Sequence, residues 1–166
     1  MERIAVYGST DYRGPVPAPG SHLAFNRQYR DNVNRIKTVL HDLAAGRKLE
    51  VAQMETVFDS AFTQVKDNYR LMETINEMKK ADEYTYTHGL NISLYGGLIA
   101  RWMGLSENEI KNVIQAGVLH DIGKAKIPPQ ILNKKGPLLP EEREQVKKHA
   151  ALGYNLVHVH QAFVKT

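Results

Sequence analysis

The stretch that decides the fold is Ser106-Glu107-Asn108-Glu109-Ile110-Lys111-Asn112-Val113-Ile114-Gln115-Ala116-Gly117-Val118-Leu119-His120-Asp121-Ile122-Gly123-Lys124. Ser106 and Glu109 stand at capping-box spacing, so the Ser hydroxyl and the Glu carboxylate can satisfy orphan amides where a helix begins at residue 107. Ile110, Val113, Ile114, Gly117 and Val118 recur at three- and four-residue steps, one face of that helix. The face leads directly to His120 and Asp121 in or near the last turn. A carboxylate there sits against the negative end of the helix dipole, which costs about 0.3–1 kcal/mol unless a cation compensates it. An imidazole and a carboxylate on neighbouring residues can hold one divalent metal, and a metal can activate water against a phosphate ester. The alternative is an ordinary polar pair in which Asp121 accepts a hydrogen bond from a nearby loop.

Working outward, the same helical period continues on both sides. Leu90, Leu94, Leu98 and Trp102 mark a preceding helix of roughly residues 83–103, with Gly104 as its stop. Before it, Val51, Met54, Val57, Phe58, Phe62, Val65, Tyr69, Met72 and Ile75 predict a long helix or two stacked ones reaching almost to Lys80. Val33, Ile36, Val39, Leu40 and Leu43 predict another from about residue 25, closed by Gly46. Residues 1–24 carry Gly14-Pro15-Val16-Pro17-Ala18-Pro19-Gly20, whose prolines forbid helix, and read as an extended arm or linker. Downstream, Pro128 and Pro129 end helical structure and Gly136-Pro137 mark a turn. Pro140, followed by Glu141 and Glu142, opens a last helix through Val146, His149, Gly153, Leu156 and Val157. No strand set emerges, so the expected fold is all-α.

Composition narrows the chemistry. The 166 residues are 42% apolar and 24% charged, enough for one domain with a sizeable core. The 22 Lys and Arg exceed the 18 Asp and Glu by four, and they are scattered, which suits anionic ligands without forming a nucleic-acid stripe. With no Cys, disulfides, thiolate metal sites and a cysteine nucleophile are excluded. Any metal must be held by His and carboxylates, ligands that suit Fe, Mn or Zn. No apolar run is long enough to span a membrane and the first residues lack a signal-peptide pattern, giving cytoplasm as the expected location.

One string gathers the polar residues. Asp82-Glu83-Tyr84-Thr85-Tyr86-Thr87-His88 is followed by His120-Asp121-Ile122-Gly123-Lys124. Ile127-Pro128, Ile131-Leu132-Asn133-Lys134 and Gly136 come next, and then Glu142 and His149. This order resembles the HD-GYP branch of the HD-domain metal-dependent phosphohydrolase superfamily, over about residues 80–157.

With the arm at 1–24 read from its prolines, the resemblance implies an N-terminal helical segment at 25–80 and a partial HD domain at 81–166. It implies an HD-domain-like helical bundle, C-terminally truncated, because no Asp follows Asp121 and the paired histidines and Gly-Tyr-Pro motif are absent. His88, His120, Asp121 and His149 are implied as metal ligands, with the Asp121 carboxylate able to bridge two metals. Asp121 and Lys124 are the implied catalytic residues, the lysine pairing with a phosphate oxygen, for which its compact charge is suited. Tyr84 stands where some members carry a third-metal Glu ligand. The implied cofactor is a divalent metal, Fe or Mn first, with Zn, Mg or Ni as further candidates.

The implied substrate is cyclic di-GMP or another phosphate ester, with no nucleic-acid or membrane partner. Chain pairing into a homodimer is expected across a groove bordered by Leu98, Val118, Leu152 and Leu156, left open by the missing helices. Because the ligand set is incomplete, these 166 residues alone are expected to be weakly active or inactive. The alternative is a degenerate, noncatalytic HD scaffold for protein interaction or ligand sensing.

Overall fold

A computed structural model describes residues 21–67, 71, 72, 75 and 84–158, and among these every regular element is helical. The helices are α1 (Ser21–Ala44), α2 (Val51–Asp67), α3 (Tyr84–Trp102) and α4 (Glu107–Leu119), then a 3₁₀ helix (Ile122–Lys126). Three short helices follow: α5 (Pro129–Leu132), α6 (Pro140–Lys147) and α7 (His149–His158). No described helix is long and apolar enough to cross a membrane. The arm expected at residues 1–24 lies outside the described residues up to residue 20, and α1 begins at Ser21, earlier than the periodicity alone indicates. The expected extension of the second helix to Lys80 is described only at Leu71, Met72 and Ile75, all helical.

The apolar periodicities become one core. Val33, Ile36, Val39 and Leu43 of α1 pack with Met54, Val57, Phe58 and Val65 of α2, and the same cluster takes in Leu90 and Leu94 of α3 and Ile114 and Val118 of α4. Burial of each such side chain contributes about 1.5–3 kcal/mol. Polar pairs set the register: the Asn32 side-chain amide donates to Ser60 Oγ at 2.7 Å, and Tyr29 OH donates to Asn91 Oδ1 at 2.8 Å. Arg101 donates to the Val65 carbonyl near the C-terminal end of α2 at 2.6 Å, satisfying one of that helix's orphan acceptors.

Local signals end the helices where expected. Gly46 and Gly104 lie at φ +83° and +74°, a backbone region that L side chains avoid. The Ser106 cap is formed: Ser106 N–H donates to Glu109 Oε2 at 2.8 Å and Glu109 N–H donates to Ser106 Oγ at 3.4 Å. The Ser106 hydroxyl, donating to Glu109 Oε2 at 2.7 Å, and then the Ser106 N–H hold the Glu109 carboxyl below the usual carboxylate range. Ser106→Ala is expected to lower the unfolding free energy by about 1 kcal/mol. A urea midpoint that does not move, at constant slope, would show that this cap is energetically idle.

Two expectations are corrected. The single last helix is two, because Lys148 tightens the chain at the junction of α6 and α7, its N–H reaching both the Gln145 and Val146 carbonyls. Two of the four expected borders of the open groove are also closed, while Leu152 and Leu156 stay partly exposed. Leu98 and Val118 are 5% and 7% exposed, covered by elements already present. The exposed large apolar side chains of α3 are instead Ile92, Ile99 and Trp102, with Met103 just beyond.

Candidate metal centre

His88, His120, Asp121, Lys124 and His149 come from four elements or their edges, and the fold brings them together. His88 lies in the first half of α3 and His120 caps the C-terminus of α4, and their rings meet edge to face at 5.5 Å between centroids. One candidate ligand atom from each of His88, His120 and Asp121 lies within 4.8 Å of the other two. His149, the first residue of α7, approaches from the opposite element, with Nε2 3.5 Å from Asp121 Oδ1. The other Asp121 oxygen, Oδ2, faces His120 Nε2 at 3.1 Å and accepts from Lys124 Nζ at 2.7 Å. Asp121 thus presents its two oxygens to different histidines.

Backbone carbonyls fix how the rings present themselves. His120 Nδ1 lies 2.7 Å from the Gly117 carbonyl, and His149 Nδ1 lies 2.7 Å from the Val146 carbonyl. A carbonyl only accepts, so each Nδ1 carries a proton and each ring turns its Nε2 toward Asp121. This is the outer partner arrangement of metal-ligating histidines. Lone pairs and carboxylate oxygens at such separations repel unless a cation or a proton lies among them. The donor set therefore fits a divalent metal of the nitrogen- and oxygen-binding kind. Burial works to raise the Asp121 carboxyl, but the Lys124 hydrogen bond and the charges of His120, Lys124 and His149 outweigh it and hold the group below the usual range.

Glycines decide whether these elements can approach. A Cβ at Gly117 would lie 2.6 Å from Ser93 Cα, and one at Gly89 3.3 Å from the Val118 carbonyl, so α3 and α4 cross nearly backbone to backbone. That crossing sets His88 beside His120. A Cβ at Gly123 would lie 1.9 Å from the His149 carbonyl oxygen and 2.5 Å from Gly153 N, which shows how tightly the 3₁₀ helix lies under α7. That second crossing sets His149 beside Asp121. Of these four positioning glycines, periodicity placed Gly117 and Gly153 on helix faces without revealing their role and left out Gly89 and Gly123. The available signal was the presence of Gly in helical runs where it costs about 1 kcal/mol relative to Ala.

Other residues of the quoted string lie elsewhere. Glu142 accepts from Leu139 N–H at 2.7 Å and pairs with Lys134, so it caps α6 and stands apart from the His–Asp cluster. Glu83 lies outside the described residues.

The HD domain family pattern matches residues 64–164. The chain is 34% identical over 112 residues to a cyclic di-GMP phosphodiesterase of Thermotoga maritima, an alignment covering 66% of this chain and 30% of that protein. It is 32% identical over 114 residues to the cyclic di-GMP phosphodiesterase response regulator RpfG of Xanthomonas campestris, covering 66% of this chain and 30% of that protein. A 3'3'-cGAMP-specific phosphodiesterase 2 of Vibrio cholerae is 32% identical over 83 residues, 50% of this chain and 16% of that one. The chain therefore spans about 30% of the length of the first two relatives. No solved structure matches it. With a family match over most of the chain and a His–Asp cluster assembled from the same residues, the chain belongs to the HD domain family, in its HD-GYP branch.

Proposed function

We propose that this chain carries the metal-binding portion of a phosphodiesterase that hydrolyses a cyclic dinucleotide, cyclic di-GMP first among them. The observation that carries this reading is the carboxylate of Asp121 facing His120 with one oxygen and His149 with the other, with Lys124 alongside. His88, His120 and Asp121 would hold one cation, and Asp121 with His149 a second, Fe or Mn being the proposed metals. Bound there, divalent cations supply Lewis acidity toward a phosphate ester and the water that attacks it.

The chain's own groups do the rest. Asp121, the Nε2 atoms of His120 and His149 and a ring nitrogen of His88 supply the donor set, and the Gly117 and Val146 carbonyls keep the first two rings in the required tautomer. Lys124, 38% exposed, can exchange its bond to Asp121 for one to an incoming phosphate oxygen, setting a positive charge against the phosphate.

A noncatalytic scaffold remains the second reading, favoured by the single carboxylate in the described cluster. A homodimer is the proposed assembly, with Ile92, Ile99, Trp102 and Met103 as the apolar face. One experiment bears on all three. The purified chain is loaded with Mn²⁺ or Fe²⁺, passed over a calibrated sizing column, assayed for retained metal and incubated with cyclic di-GMP. The expected result is at least one metal per chain, dimer mass and at most slow, chelator-sensitive formation of linear dinucleotide. A folded chain that retains no metal favours the scaffold, and a monomer mass removes the dimer.

A further inference from the structure

A cavity of about 380 Å³ opens beside Asp121 and Lys124 but is lined by none of the three histidines of the cluster. Its floor is aliphatic, made by Ile36 and Val39 of α1, Met54 of α2, and Ile122 and Ile127, all of them buried. Its polar wall is different in kind. His41 of α1 and Tyr86 of α3 both line it, held together by a 3.0 Å contact between His41 Nε2 and Tyr86 OH, with the rings edge to face. Lys37 lies over the Tyr86 ring, 5.4 Å from its centroid. Asn133 adds an amide. Lys126 ties this wall to the signature segment by donating to the Leu43 carbonyl near the end of α1 at 2.6 Å.

An apolar floor with a few polar groups and a cation at one end matches a ligand with a flat apolar body, a polar edge and an anionic end. We infer that this cavity receives the base of a nucleotide whose phosphate lies at Asp121 and Lys124, and that His41 is a specificity-determining residue for that base. The volume stands near the lower end of the range for small-molecule sites, about 300–1,000 Å³. It suits one base with its sugar, so a cyclic dinucleotide would place a single base here. A planar ring lies against the Ile36, Val39 and Ile127 side chains while its edge meets His41, Tyr86 OH and the Asn133 amide. The inference rests on the phosphodiesterase reading for the phosphate end alone. His41 precedes residue 64, where the HD domain match begins, so the residue proposed to read the base lies outside the matched region while Tyr86 and Asn133 lie within it.

The test is calorimetric titration of the Mn²⁺-loaded chain with GMP, guanosine and ribose 5-phosphate. The expected result is GMP binding at least about tenfold tighter than ribose 5-phosphate, the difference that one or two hydrogen bonds and a buried ring face provide. His41→Ala, and Ala44→Trp, which fills the cavity from an exposed position, should each erase most of that difference while leaving ribose 5-phosphate and Mn²⁺ binding unchanged. Equal affinity for GMP and ribose 5-phosphate overturns the inference, as does a GMP preference that survives both substitutions. Guanosine separates this from the parent reading. If guanosine binds and is lost in Ala44→Trp while ribose 5-phosphate never binds, the base site stands and the metal–phosphate reading falls.

Discussion

Asp121→Asn is expected to abolish metal retention while leaving the helical fold in place. Both oxygens of this carboxylate face ring nitrogens, at 3.1 and 3.5 Å, so one substitution removes the anion from each candidate position at once. Losing an outer partner of a ligand typically costs about 10–100-fold in metal affinity, and losing the shared ligand itself should exceed that. The neutral amide also leaves Lys124 beside the histidines without the charge that balances it, which disfavours a second cation there. Structurally the change is mild, because the Asp121 side chain is 25% exposed and stands outside the apolar cluster. Circular dichroism should therefore match the parent, while metal analysis after desalting should fall to background. An Asp121→Asn variant that keeps its Mn²⁺ with unchanged affinity would sink the metal centre as drawn.

Gly123→Ala is expected to be the most damaging single methyl group in this chain. Its Cβ would sit 1.9 Å from the His149 carbonyl oxygen, and that oxygen belongs to the backbone of α7, which cannot step aside as a side-chain tip can. The only relief is to lift α7 from the 3₁₀ helix. Overpacking of this kind costs about 3 kcal/mol or more where backbone must move. Lifting α7 also withdraws His149 from Asp121, so metal affinity should fall together with the denaturation midpoint. Gly153→Ala, whose nearest contact would be 3.2 Å, provides the graded control and should cost clearly less. A Gly123→Ala protein with parental stability and metal affinity would mean that the two elements do not pack this closely in solution.

Most helices were legible because their signals are local. The Ser106–Glu109 box, the glycines at 46 and 104, and the three- and four-residue apolar steps each act within a turn or two of chain. The break at Lys148 was not legible, since Val146, His149, Gly153 and Leu156 keep a helical spacing across it. His149 was legible as a ligand only through the family resemblance, and the turn at the α6–α7 junction carries its ring to 3.5 Å from Asp121. Two of the four borders expected of the open groove are closed for a related reason. Leu98 and Val118 are covered within the described residues, so their burial required no further helix.

The sequence by itself determined the helical class, most helix ends, the family resemblance and the residue types able to hold a metal, all from short-range preferences and a recognisable order. Tertiary structure decided which of those residues meet, the tautomers that two backbone carbonyls impose, and the cavity that α1 closes beside Lys124. The physical reason is that close approach depends on space between elements distant in sequence. At Gly117 and Gly123 that space is the absence of a side chain, a fact visible in the sequence whose consequence exists only once the helices cross.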